Sequence, residues 1–149
     1  MTGVGAWEAI LLAAGSGRRF GGGKLLAPVG DGVLLDAAVD AALAAPVRSV
    51  IVVTGSDPDA VATAARRRPG AERLRIVHAP DHAEGMGASL RAGAGALPPD
   101  TRGVFVLLGD MPRIPVSIFE PLILAVEAGA PAAAPVFDGR RGHPALIGA

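Results

Sequence analysis

The sequence contains no cysteine, which excludes disulfide bonds and metal sites built on thiolates. This absence is typical of proteins of the reducing cytoplasm, where we expect the protein to reside. Aromatic residues make up only 3% of the chain, although 50% of its residues are hydrophobic. The core must therefore be built from alanine, valine, leucine and isoleucine, as is typical of parallel α/β proteins.

An excess of one charge and long apolar segments are also missing. The formal net charge is zero, so the chain has no general attraction to nucleic acid or to a membrane surface. We expect neither as a partner. No apolar run reaches the roughly 18 residues of a membrane span. The length of 149 residues predicts one domain, over residues 1–149.

The segment from Leu12 to Lys24 is the most informative part of the chain. An apolar run over residues 10–14 predicts a buried strand, and a loop rich in glycine follows it. Such a loop leaves backbone N–H groups free at the carboxyl edge of the sheet, where open α/β sheets bind ligands. Arg18, Arg19 and Lys24 add positive charge to it. This arrangement predicts a phosphate-rich small molecule as the ligand.

Two common phosphate-binding motifs do not fit this loop. A P-loop requires Gly-Lys followed by serine or threonine, but Gly23-Lys24 is followed by Leu25. The dinucleotide fingerprint G-x-G-x-x-G has Phe20 at its third glycine and lacks an acid at the end of a second strand. A purely structural turn remains the alternative interpretation of the loop.

Apolar runs alternate with segments of helical periodicity along the whole chain. Strands are expected over 7–14, 50–53, 74–78, 104–108 and 132–137. Helices are expected over 34–43, from Pro58 to before Pro69-Gly70, over 88–97, and from either a capping box at Ser117 or Pro121. This alternation predicts an α/β fold, a three-layer αβα sandwich with a mostly parallel, Rossmann-like sheet. The run 104–108 is the most apolar and is expected to be central.

A single carboxylate follows the most apolar strand, in the segment L-L-G-D-M-P. Asp110 would lie at the binding edge of the sheet, where it could hold a divalent ion against phosphate oxygens. A nucleoside triphosphate carries about four negative charges, which the three cations of the first loop leave under-neutralised. We therefore predict Mg²⁺ as a cofactor with Asp110 as its ligand, against the alternative of an aspartate that only caps a turn.

The segment E-G-M-G-A-S-L-R-A-G, residues 84–93, predicts a flexible entry to a helix. Ser89 and the first free N–H groups could bind a base edge or a ribose, and an ordinary helix start is equally favoured. His78 and His82, just before it, are interpreted as unremarkable.

A second polar loop, F-D-G-R-R-G-H-P over residues 137–144, follows the last predicted strand. Arg140 or Arg141 could bind an anionic acceptor, and His143 could bond to it or orient the loop. A solvated hairpin is an equally good interpretation.

Taken together and in order, these four blocks resemble those of the molybdenum-cofactor nucleotidyltransferases, closest to the cytidylyltransferase branch. The family patterns are LAAG-x-x-x-R-x-G-x-x-K, G-M-x-x-S-L-R-x-G, L-G-D-x-P and R-G-H-P. The matching residues are Leu12, Ala13, Ala14, Gly15, Arg19, Gly21, Lys24, Gly85, Met86, Ser89, Leu90, Arg91, Gly93, Leu108, Gly109, Asp110, Pro112, Arg141, Gly142, His143 and Pro144.

The resemblance implies an enzyme that transfers a nucleotide to molybdopterin and releases pyrophosphate. It implies Arg19, Lys24 and Asp110 as the catalytic residues, with Asp110 binding Mg²⁺. The nucleotide site would comprise Leu12, Ala13, Ala14, Gly15, Lys24 and Ser89. Arg141 and His143 would bind the acceptor. A molybdoenzyme or its chaperone is implied as a protein partner.

Ala14 bears on the choice of nucleotide, because the guanylyl branch of the family has glycine at this position. The resemblance therefore favours CTP, and GTP or another nucleoside triphosphate stays an alternative. Related enzymes act on sugar phosphates or other phosphorylated acceptors. The family continues beyond R-G-H-P, so we expect the chain to lack the C-terminal acceptor-side portion. A non-catalytic nucleotide-binding module and an NAD-binding domain are the remaining alternatives.

Overall fold

The computed structural model describes residues 6–14, 24–111, 114–137 and 139–148. In this part of the chain, no helix is long and apolar enough to cross a membrane. The glycine-rich segment 15–23, which contains Gly15, Arg18 and Arg19, lies outside the described residues, as does Pro112.

The main sheet of the described residues has six strands, which in chain order are β1 (Trp7–Ala13), β4 (Val50–Thr54), β5 (Leu74–His78), β6 (Gly103–Leu108), β7 (Ala132–Ala133) and β10 (Ala145–Gly148). Across the sheet their order is β5-β4-β1-β6-β10-β7. Strands β1, β4, β5 and β6 pair in parallel, whereas β10 is antiparallel to both of its neighbours. Two hairpins complete the strands, β2 (Pro28–Val29) with β3 (Gly32–Val33) and β8 (Val136–Phe137) with β9 (Arg140–Arg141).

In the part of the chain that the structure describes, four α-helices cover the sheet: α1 (Leu35–Ala44), α2 (Pro58–Arg66), α3 (Met86–Ala94) and α4 (Phe119–Glu127). Buried side chains of α1, α2 and α4 pack in one cluster with alternate residues of β1, such as Leu11. The intervening residues, such as Ile10, pack on the other face with Leu90 and Ala92 of α3. Both faces of β1 are therefore buried, which explains its unbroken apolar sequence.

The predicted αβα fold with a mostly parallel sheet is confirmed, and β6 lies at its centre as expected, next to β1. Two local predictions were wrong. The expected strand over 132–137 is divided into β7 and β8, which belong to different sheets. Helix α4 begins at Phe119, and Ser117 lies in a preceding 3-10 turn without a capping side-chain bond.

A buried glutamate and an arginine form an ion pair at the amino edge of the sheet, opposite the carboxyl ends of the parallel strands. Glu8 in β1 is only 1% exposed and accepts hydrogen bonds from Arg48 Nε at 2.6 Å and from Ser49 Oγ at 2.6 Å. The other nitrogens of Arg48 bind both carboxylate oxygens of Asp100 at 2.9 and 3.1 Å. This network fixes the loop before β4 against the start of β1.

The exposed ion pair between Arg48 and Asp100 predicts that the protein loses stability in acid. The hydrogen bond from Arg48 lowers the pKa of Asp100 below its ordinary value, which is about 3.9. Because the folded state has the lower pKa, the stabilisation is complete above the unfolded pKa and disappears as the pH falls through the folded one. We expect unfolding in urea to show a steeper loss of stability below pH 4 for the unaltered protein than for Asp100→Asn. Parallel curves for the two proteins would contradict this.

Candidate functional site

A backbone hydrogen bond connects β1 and β6 at their carboxyl ends. The N–H of Gly109 donates a hydrogen bond to the carbonyl of Leu12 at 3.0 Å. A Cβ at Gly109 would lie 3.1 Å from Leu25 and 3.2 Å from the Leu12 oxygen. Leu25 belongs to a 3-10 turn over Lys24–Leu26 that thus packs directly on the end of β6. Glycine at position 109 allows this close approach.

This packing brings the last residue of the basic loop to the carboxylate that follows β6. Lys24 Nζ donates a hydrogen bond to Asp110 Oδ2 at 3.0 Å, across 86 residues of sequence. Both side chains are 41% exposed, so the pair lies at the surface of the carboxyl edge. Two of the three residues predicted to be catalytic therefore lie side by side. The third, Arg19, is outside the described residues.

The ends of β4 and β5 place further polar groups at the same edge. Thr54 is fully buried, and its Oγ1 lies 3.3 Å from Nδ1 of His78. The ring of His82 follows at 6.2 Å from that of His78, centroid to centroid. Gly55 lies between β1 and this pair, since a Cβ there would approach both the Ala14 carbonyl and His82. The interpretation of both histidines as unremarkable missed this cluster, because only the pairing of β4 with β5 creates it.

Replacing Gly55 with alanine is expected to lower the free energy of unfolding by about 1–3 kcal/mol. The added Cβ would lie 2.5 Å from the Ala14 carbonyl oxygen and 2.7 Å from Cγ of His82, so the ends of β1 and β4 must separate. Gly95→Ala is the matched control, because Gly95 has helical φ and its nearest atoms lie 3.6 Å from the added carbon. Urea titrations should separate the two variants, and equal stabilities would contradict the prediction.

Leu12, Ala13, Ala14, Ser89 and His143 are further predicted site residues that the structure describes. Leu12 and Ala13 end β1, Ala14 follows them, and all three are buried, so mainly their backbone is available to a ligand. Ser89 is in α3 and is 3% exposed. Strand β10 is antiparallel to β6 with Ala145 opposite Val106, so the preceding His143 is on the carboxyl side of β6.

Arg141 lies in β9, where its backbone pairs with Val136 in the hairpin β8–β9. This is the hairpin that the sequence left open as an alternative, and the Arg141 side chain is outside the described part of the structure. The roles predicted for Arg141 and His143 in acceptor binding stay predictions.

Asp110 is a candidate metal donor at this edge of the sheet. Among the described residues, no group of three or more histidine or acidic side chains is arranged to hold a metal ion. Asp110 offers one carboxylate, of which Oδ2 accepts the hydrogen bond from Lys24. Mg²⁺ in proteins is commonly bound by one or two carboxylates, with substrate phosphates and water as its other ligands. The donor set therefore fits Mg²⁺ bound together with a triphosphate.

Comparison with known proteins identifies the family of the chain. Residues 9–149 match the model of the MobA-like NTP transferase domain family. The chain belongs to this family of nucleotidyltransferases. It is 31% identical to the molybdenum cofactor cytidylyltransferase of Escherichia coli over 97% of its own length and 71% of the relative's.

A second protein relative and a solved structure are also similar to the chain. The chain is 34% identical to the nicotine blue oxidoreductase of Paenarthrobacter nicotinovorans, over 94% of this chain and 70% of that protein. Among solved structures, Rv0371c of Mycobacterium tuberculosis superimposes with a TM-score of 0.79 at 26% identity, covering 96% of this chain and 71% of the other. The two named relatives differ in activity, so family membership leaves the acceptor open.

Proposed function

We propose that the protein is a Mg²⁺-dependent cytidylyltransferase that transfers CMP from CTP to a molybdopterin-type acceptor and releases pyrophosphate. The observation that carries the proposal is the contact of Lys24 Nζ with Asp110 Oδ2 at 3.0 Å, at the carboxyl edge of a sheet of this family. A cation for phosphate and a carboxylate for a metal are thereby available within one ligand's reach.

The reaction is a substitution at the α-phosphorus of the nucleotide. An acceptor phosphate oxygen forms the new P–O bond, the α–β anhydride bond breaks, and pyrophosphate leaves with the electron pair. The chain has no cysteine, and no base is identified that would activate Ser89. Positioning and charge stabilisation therefore supply the rate, without a covalent intermediate on the protein.

Each residue then has a distinct task. Lys24 binds phosphate oxygens as a compact charge, and Arg19 is proposed to add a second cation from the preceding loop. Asp110 holds the metal, which when bound neutralises the developing charge on the phosphates. Backbone groups of residues 12–15 and the first turn of α3, with Ser89, bind the nucleoside. Arg141 and His143 bind the acceptor.

The choice of CTP and of a pterin acceptor is supported more weakly than the reaction class. It depends on Ala14 in the first motif and on the cytidylyltransferase at 31% identity. GTP, or a sugar phosphate or another phosphorylated acceptor, are the alternatives within the same chemistry. A molybdoenzyme or its chaperone would receive the product of the proposed reaction.

The decisive assay measures pyrophosphate release by the purified protein with CTP, Mg²⁺ and molybdopterin. We expect release that requires all three, with GTP a poorer substrate. Faster release with GTP than with CTP would overturn the assignment of the nucleotide. Release with another phosphorylated acceptor but not with molybdopterin would overturn the assignment of the acceptor. Nucleotide binding without any release would favour the non-catalytic module.

The similarity to an oxidoreductase provides a second candidate function. The relative named nicotine blue oxidoreductase is the more similar of the two in identity, at 34%. Oxidation of NADH or NADPH by an aromatic heterocyclic acceptor would be followed at the absorbance of the reduced nicotinamide. Turnover in this assay together with no pyrophosphate release would replace the transferase proposal.

A further inference from the structure

The residue that contacts Asp110 is unusual in the composition of the chain. Of the 14 lysines and arginines in the sequence, only Lys24 is a lysine. Arginine supplies all the other basic side chains of this set, and the one lysine ammonium lies 3.0 Å from the predicted metal ligand. The chemical difference between lysine and arginine at this position is therefore informative.

Lysine and arginine bind a carboxylate differently. The Lys24 ammonium contacts Asp110 through Oδ2, a one-point interaction. A guanidinium is a planar fork that binds both oxygens of a carboxylate, as Arg48 does with Asp100 and Arg68 with Asp40 in this protein. A fork on Asp110 would engage both carboxylate oxygens and leave neither for a metal, whereas the ammonium engages only Oδ2.

The pair is also weak enough to be exchanged. Both side chains are 41% exposed, and an exposed ion pair shifts an equilibrium constant by about fivefold at most. A triphosphate offers the ammonium several phosphate oxygens in place of one carboxylate oxygen. The energetic difference between the two states of Lys24 is thus within what one ligand can supply.

We infer that Lys24 is an exchangeable positioning residue for Asp110, which it holds in the ligand-free protein and releases when it turns to the phosphates. This inference rests on the proposed function, because it requires that Asp110 binds the metal and Lys24 the nucleotide. Metal and ammonium then compete for the same carboxylate. Nucleotide removes the competitor, so nucleotide and metal each strengthen the binding of the other by the same factor.

The competition predicts an unusual effect of removing the positive charge. In the absence of nucleotide, Lys24→Met should bind Mn²⁺ about two- to fivefold more tightly than the unaltered protein, because the competing ammonium is gone. Lys24→Arg should bind it no more tightly than the unaltered protein. Arg75→Met is the matched control, since Arg75 is exposed and bonds only to the Ala96 carbonyl among the described residues.

The measurement is a titration of each full-length variant with Mn²⁺ alone, followed by electron paramagnetic resonance of the free ion. Asp110→Asn is included, and Mn²⁺–CTP binding is measured by calorimetry in parallel. Lys24→Met binding Mn²⁺ as weakly as the unaltered protein, or Lys24→Arg binding it as tightly as Lys24→Met, would overturn the inference. If these results came with Mn²⁺–CTP binding that is lost in Asp110→Asn, the proposed function would still stand. If Asp110→Asn binds Mn²⁺–CTP normally, both fail.

Discussion

Asp110→Asn is expected to reduce the CTP-dependent release of pyrophosphate by at least about 1,000-fold. Asparagine has nearly the same shape, and its carbonyl oxygen can still accept the hydrogen bond from Lys24. It lacks the negative charge that holds a divalent ion beside the phosphates. The fold should be unaffected, because Asp110 is exposed at the end of β6 and contributes nothing to the core. Pyrophosphate release under saturating CTP and Mg²⁺ is the measurement.

Asp31→Asn is the matched control for this experiment. Asp31 is also an exposed aspartate, in the turn between β2 and β3, so its replacement removes the same charge. Turnover within about twofold of the unaltered protein is expected for Asp31→Asn, as is usual for an exposed surface change. Equal turnover of Asp110→Asn and the control would remove Asp110 from its assigned role.

Arg48→Met is expected to lower the free energy of unfolding by about 3 kcal/mol. Among the described residues, the substitution leaves the Glu8 carboxylate, which is 1% exposed, with hydrogen bonds from Ser49 alone. A buried charge without its counter-ion costs far more than an exposed one. Urea unfolding can be followed by the fluorescence of Trp7, the only tryptophan, which is buried beside Glu8 in β1.

Two further variants test whether the unpaired charge of Glu8 causes the loss of stability in Arg48→Met. Glu8→Gln combined with Arg48→Met removes both charges, and it should recover more than half of the lost stability. Asp100→Asn removes only the exposed partner of Arg48, and at neutral pH it should lower the stability much less than Arg48→Met does. If the double variant is no more stable than Arg48→Met, the buried charge is not the cause.

The sequence was sufficient to predict the central sheet because its signals there are local and strong. The strands β1 and β6 are continuous apolar runs, as strands buried on both faces must be. Gly109-Asp110 directly follows β6, so the position of the carboxylate at the binding edge followed from strand direction alone. Lys24 was expected at the same edge, since both segments leave the carboxyl ends of parallel strands, but its direct bond to Asp110 was not predicted.

Contacts between segments that are distant in the chain could not be predicted from the sequence. Arg68 lies just after the end of α2 and binds both oxygens of Asp40 in α1, at 2.9 and 2.7 Å, a contact that no local pattern indicates. Thr54 and His78 meet only because β4 and β5 pair in a particular register. The break between β7 and β8 also left no local signal beyond Pro135, because small residues such as Ala132–Ala134 suit a strand, a bend or a loop equally.

A crystal grown with Mn²⁺ and a non-hydrolysable CTP analogue provides the most direct measurement of whether Lys24 and Asp110 share one metal–nucleotide site. Anomalous scattering locates the manganese independently of the protein coordinates. We expect a peak at bonding distance from the Asp110 carboxylate, about 2.0–2.3 Å, with Lys24 Nζ moved from that carboxylate to a phosphate oxygen of the nucleotide. A nucleotide bound with its metal away from Asp110, or with Lys24 directed away from the phosphates, would contradict the shared site.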